Sequence, residues 1–212
     1  DDVEIAEEPE EEMDVDFASG EEDAIAAAVD ETVTPEAGMV DGFDLSADPN
    51  KIDDVKLSYK LSDSGTWQEC KPDNDTVIPA NAKIKLQVDY KDIQIKSLRY
   101  DYYCKLTYDL PELMRNITTE GGIFDRDNNK VGTVTCENRK ITVIFNTDYL
   151  DNLQKDSQTT INGNFYAQGD VNLRVVPDTG GTTTVTTGNK TYQLNFEPDA
   201  VAKYGQISVD KT

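Results

Sequence analysis

Between Val55 and Val209, odd and even positions separate into an apolar set and a polar set. Val55, Leu57 and Tyr59 alternate with Lys56, Ser58 and Lys60. Ile84, Leu86, Val88 and Tyr90 alternate with Lys85, Gln87 and Asp89, and Tyr100, Tyr102, Cys104, Leu106 and Tyr108 form another stripe. A period of two belongs to a pleated strand with one wet face. Such strands must close their oily sides against one another, which rules out a helical bundle.

Turn chemistry separates the runs. Ser62 to Gly65 is a turn, and Thr66-Trp67-Gln68 starts another strand. Trp67, the sole tryptophan, is assigned to the core, with a ligand platform as the alternative. Lys71 to Pro79 reads as loop, and Ile93, Ile95 and Leu98 as a corner. Pro111 lacks an N–H and stops the ladder; Glu112 to Met114 is one helical turn. Val131–Cys136 and Lys140–Phe145 form a hairpin across Glu137-Asn138-Arg139, with Ile141, Val143 and Phe145 facing one way and Ile144 the other. Thr147 to Lys155 has weak helical character. Ile161 to Gln168 and Val171 to Val176 are strands, and Thr182–Thr187 and Thr191–Phe196 are a last hairpin across Gly188-Asn189. Pro198 to Tyr204 reads as a short helix, and residues 207–212 as the start of a downstream domain. The expectation is an all-β, antiparallel sandwich of about 10 strands over residues 51–206.

The charge of −22 is uneven. Residues 1–50 hold 19 of the 42 acids and none of the 20 bases, leaving 23 acids against 20 bases for the rest. The first 50 residues therefore read as a disordered acidic linker that buries too little apolar surface to offset its ordering entropy. Ala24 to Val29 is helix-friendly, and the alternative is a segment that orders on binding or adds a strand to a sheet edge. An acidic chain without a basic stripe argues against nucleic acid and anionic membrane surfaces. No run approaches the roughly 20 apolar residues of a membrane-spanning helix. The chain opens on Asp1-Asp2 without a signal peptide, and its Thr-, Asn-, Asp- and Tyr-rich strands favour a mature secreted segment over a cytosolic protein. Without histidine there is no His-based metal site, triad or general base.

Three cysteines, Cys70, Cys104 and Cys136, leave at least one unpaired thiol. Cys104 and Cys136 both point inward, as two core thiols or as a disulfide, and Cys70 sits in a loop. Asp125-Arg126-Asp127-Asn128-Asn129-Lys130 opens like a calcium loop, but its sixth position is Lys130 and its twelfth Cys136. A solvated hairpin turn fits it better.

The motifs Leu110-Pro111, Asp125 to Thr133, Val143 to Tyr149 and Gly163 to Ala167 fall in one stretch from Tyr100 to Val171. Together they resemble the immunoglobulin-like N-terminal adhesion domains of Gram-positive cell-wall-anchored surface proteins, the collagen- and fibrinogen-binding type. That resemblance implies a variant immunoglobulin sandwich, extracellular location, and a host matrix protein or glycan as partner. It also implies wall anchoring through a C-terminal region outside this chain, which contains no L-P-x-T-G. Many such binders hold ligand in a trench between two domains, whereas this chain reads as one. Some relatives carry a Lys–Asn amide bond beside a buried acid, for which Lys56 or Lys60, Asp89 and Asn195 would be tried; period two puts Lys56, Lys60 and Asp89 on polar faces. Others carry a Cys–Gln thioester, which an inward Cys104 disfavours.

The function expected is adhesion without catalysis, cofactor, metal or membrane insertion. Tyr59, Tyr103, Tyr149, Tyr166 and Tyr192 are contact candidates, because tyrosine offers rigid amphipathic area at low entropy cost. A structural spacer is the alternative. A sugar hydrolase is weakest, since no two carboxylates stand in a recognisable motif.

Overall fold

The computed structural model describes residues 42–198 apart from 62, 101, 102 and 126, with the backbone alone for 73–76 and 100. The strands are β1 (Phe43–Asp44), β2 (Ile52–Lys60), β3 (Gln68–Glu69), β4 (Asp73–Ile78), β5 (Lys83–Gln94), β6 (Arg99–Tyr100) and β7 (Tyr103–Asp109). After them come β8 (Met114–Thr119), β9 (Ile123–Phe124), β10 (Lys130–Glu137), β11 (Lys140–Phe145), β12 (Thr160–Val171), β13 (Gly181–Thr187) and β14 (Lys190–Phe196). Two short α-helices, α1 (Ile95–Leu98) and α2 (Thr147–Lys155), interrupt the series. Four strands have only two residues, so ten longer ones carry the fold.

The first sheet runs β1-β7-β11-β10-β9, with β6 also on β7; the second runs β3-β2-β5-β12-β8; the third is β13-β14-β4. The inward stripes are those the alternation marked. Val55, Leu57, Ile84, Leu86, Val88, Leu106, Ile141 and Val143 are all fully buried. The first two sheets meet through Tyr108 of β7 and Phe165 of β12, whose tilted rings lie 5.7 Å apart. Such a pair adds about 1 kcal/mol beyond its buried area. The result is an all-β sandwich, with most ladders antiparallel and two parallel exceptions, β1 with β7 and β4 with β14.

Several elements differ from the sequence reading. The fold takes in residues upstream of 51: Leu45 is fully buried, and its N–H donates to the Thr107 carbonyl at 2.9 Å. Lys71 to Pro79 holds strand β4, which has no alternation of its own and forms because β14 pairs with it. Glu112 to Met114 is a turn into the edge strand β8, not a helix. Residues 171–176 do not form a separate strand: β12 runs through Val171 and a single 3-10 turn follows at Leu173–Val175. The β10–β11 hairpin closes in two residues, Asn138 and Arg139, with φ of 49° and 64°. That left-handed pair matches the twist of the flanking strands. All but Pro198 of the expected helix at 198–204, the strand at 207–212, residues 1–41 and Tyr102 lie outside the described residues.

Candidate functional site

The outer face of the second sheet is built by register. Lys85 lies opposite Ser58 on β2 and Gln168 on β12, and Gln168 lies opposite Thr118 on β8. The next row is Lys60, Lys83, Asp170 and Arg115, and Gln87 faces Tyr166 one step the other way. Alternation thus places a row of lysines and amides on the wet side because the residues between them fill the core.

Trp67 comes down onto this face. The short β3 returns antiparallel to the end of β2, with Gln68 opposite Tyr59 and the Tyr59 hydroxyl donating to Gln68 Oε1 at 2.9 Å. This pins the residue before β3 over the lysine row. Trp67 is half-buried, and the ammonium groups of Lys60 and Lys85 each lie 4.8 Å from its ring centroid. Lys85 also lies 5.8 Å from the Tyr166 ring. Cation–ring attraction of about 0.5–1 kcal/mol per contact suffices to bias these side chains toward the ring. The core assignment of Trp67 is therefore corrected: β3 pairing decides its place, not its hydrophobicity.

The lysines of this face are not equivalent. Lys83 meets Asp170 at 2.6 Å, and that hydrogen bond raises the ammonium pKa and lowers the carboxyl's; Asn116 donates to the other Asp170 oxygen at 2.8 Å. Lys60 reaches the Asp63 carbonyl at 2.8 Å, and among the described residues neither Lys60 nor Lys85 has a carboxylate within ion-pair distance. A groove of about 160 Å³ runs beside Trp67, lined by Lys60, Asp63, Lys83, Asn116, Thr118 and Gln168 among others, with the exposed Asp63 carboxylate 4.0 Å from Lys83. Glu120 follows the end of β8, and desolvation holds its carboxyl above the usual range.

The tyrosine candidates divide. Tyr166 joins the cluster. Tyr59 and Tyr192 are core residues, the latter donating to the Val55 carbonyl at 2.8 Å. Tyr103 is 38% exposed on the first sheet, and Tyr149 is half-buried on α2. Lys56 faces outward, 3.6 Å from Asp89 and 3.8 Å from Asp54, while Asn195 sits on β14 opposite Thr182 and Val77.

Two larger hollows have other characters. One of about 610 Å³ is lined by Ser46, Asp109 to Leu113 and Thr183 to Gly188. Its carboxylates are engaged, Asp109 by Lys140 at 3.2 Å and Glu112 by Arg139 at 3.7 Å. The other, of about 600 Å³, includes Asp125, whose Oδ1 accepts from the Asn129 and Asp127 backbone N–H groups at 2.8 and 2.9 Å. These bonds, with Asn129 Nδ2 on the other oxygen, hold the carboxyl below its usual range. The acidic turn is thus closed on itself by its own amides.

The thiols are all free. Strand β11 lies between β7 and β10, with Cys104 opposite Phe145 and Cys136 opposite Ile141 at the other end. Two strand spacings of about 4.8 Å already exceed the roughly 7 Å Cα limit of a disulfide, so this pairing is closed to Cys104 and Cys136. Cys70 lies outside any element but is 2% exposed, and burial pushes its thiol up to about 12.

No family model matches this chain, and no curated protein does. Among solved structures it is similar to the collagen adhesin of S. aureus, at 16% identity with a TM-score of 0.38. The match covers 75% of this chain and 46% of that one, so the chain spans about half the length of the protein it matches.

Proposed function

We propose that this chain is an extracellular adhesion module of the immunoglobulin-like type. It binds a host protein or glycan without catalysis, as part of a surface protein anchored to a Gram-positive wall by sequence downstream. The observation that carries this reading is the Trp67 cluster. A half-exposed tryptophan lies across two lysines, beside a groove lined by two amides, a hydroxyl and charged side chains. Rigid aromatic area next to adaptable hydrogen-bonding groups is the composition of recognition surfaces. Motif resemblance supplies the compartment and the anchoring.

The test is a glycan and matrix-protein array probed with the full chain and with Trp67→Ala. Binding that Trp67→Ala abolishes supports the reading. Silence on both surfaces replaces it with a spacer that has no ligand of its own.

A further inference from the structure

We propose that the Trp67 cluster binds an acidic saccharide, whose carboxylate or sulfate bridges the ammonium groups of Lys60 and Lys85. This rests on the adhesion reading and narrows its ligand. Both ammonium groups lie 4.8 Å from the same ring centroid. Held there, two like charges repel, and the ring attracts each without neutralising it. Lys83, one row away, shows the alternative: its charge is matched by Asp170. A ligand anion would supply to Lys60 and Lys85 what Asp170 supplies to Lys83, in charge-assisted hydrogen bonds.

The groove selects the rest of the ligand. Gln168 and Thr118 line it directly opposite one another, with Asn116 beside them. Amides and hydroxyls of this kind pair with sugar hydroxyls, and the Trp67 and Tyr166 rings offer apolar faces to sugar C–H groups. A peptide strand has no ladder to join beneath the ring, since β5 and β12 are each paired on both sides, and would have to add at the open edge of β8. A nucleic acid is disfavoured because a long phosphate backbone would meet a chain of net charge −22. A short acidic sugar needs only the local field of the lysine pair, in a sandwich whose charges nearly balance outside residues 1–50.

The experiment is calorimetric titration of the full chain with a hyaluronan hexasaccharide, a sulfated heparin hexasaccharide and a neutral chitin hexasaccharide. At least one acidic sugar should bind, roughly tenfold or more tighter than the neutral one. The Lys60→Gln/Lys85→Gln variant should lose that margin, and Lys85→Gln alone should lose part of it. Lys140→Gln, on the other sheet and paired with Asp109, should keep it. Near-ultraviolet circular dichroism of each variant checks that packing is intact. Equal affinity for acidic and neutral sugars overturns the proposal, as does an equal loss in Lys140→Gln, which would mark general attraction to polyanions. If no saccharide binds while a matrix protein still binds through Trp67, the acidic-sugar inference falls and the adhesion reading stands. If nothing of either class binds, both fall.

Discussion

Lys190, on β14 of the third sheet, and Lys85, on β5 of the second, stand at two corners of β2 and live by different rules. Lys190, next to the turn of the β13–β14 hairpin, pairs with Asp54 and donates to the Val55 carbonyl at 2.9 Å. Around it Asn189 donates to the Ile52 carbonyl at 3.1 Å and Tyr192 to that of Val55. Here polar groups of one element satisfy those of another, so the hairpin is bolted to β2. At the Trp67 corner, Lys85 has two rings and no described counter-charge. A satisfied network fixes a structure, whereas a charge left with only a quadrupole is available to a ligand. If this contrast is right, substitutions in the first corner should change stability and leave binding alone, and those in the second should do the reverse.

The largest effect should come from Gly188→Val. Gly188 has φ +58°, and a Cβ there would lie 2.8 Å from Val55 Cγ2 and 2.9 Å from Ile52 Cδ1. Left-handed strain and overpacking together should cost about 3 kcal/mol, or roughly 6–12 °C in Tm by calorimetry. Sugar binding below the transition should be unchanged. Unaltered stability would mean the hairpin tip is not seated on β2.

Next comes Tyr108→Phe. The Tyr108 and Thr187 hydroxyls share a buried hydrogen bond of 2.6 Å, the link from the first sheet to the third. Removing one partner strands the other in the core, at about 1–2 kcal/mol in urea unfolding. A loss below about 0.5 kcal/mol would show that Thr187 finds another acceptor there.

Asp54→Asn should cost less, about 1 kcal/mol after discounting for solvent, since the side chains of Lys190 and Asp54 are 35% and 32% exposed. Its sign with pH is definite. The Lys190 hydrogen bond is the main cause of the lowered Asp54 pKa, and Asp54 in turn raises that of Lys190. A depressed carboxyl contributes stability above its unfolded value of about 3.9 and loses it as pH falls through the folded value. The raised lysine contributes below about 10.4 and loses it as pH climbs through its folded value. Asp54→Asn should therefore flatten both limbs of a stability–pH curve. Unchanged limbs would assign the acid and alkaline losses to other groups.

The two corners were unequally legible in the sequence. Val55, Leu57, Ile84, Leu86 and Val88 announced their strands because one face is buried and the other wet, which writes a period of two into the chain. The hairpins at Asn138-Arg139 and Gly188-Asn189 were legible as turns because Asn138 and Gly188 readily accept the positive φ found there. β4 was not, since its partner β14 lies far along the chain and the two pair in parallel. Nor was the edge strand β8, where Arg115, Asn116 and Thr118 are exposed and set no alternation. Trp67 was the instructive miss. Its hydrophobicity pointed inward, but β3 has only two residues and returns along the end of β2, which leaves the ring on the outer face. The lysines beneath it were correctly placed on the polar side. What they meet there depends on register across three strands, information no local pattern holds.

The smallest stability effect should belong to Lys85→Gln, and it tests the contrast most directly. The substitution removes two ring contacts worth about 0.5–1 kcal/mol each at an exposed site. It also removes the repulsion between Lys85 and Lys60 over the same ring, which acts in the opposite direction. The glutamine stem still covers the sheet between Ser58 and Gln168. These terms nearly cancel, so the unfolding midpoint in urea should shift by no more than about 0.5 kcal/mol in free energy. A loss above about 1.5 kcal/mol would make Lys85 a structural member of the sheet, as Lys190 is, because a group whose removal costs that much is already spoken for by the fold. A midpoint that rises would sharpen the opposite conclusion, that the lysine pair is held over Trp67 at a cost to the free protein, as groups awaiting a ligand charge are.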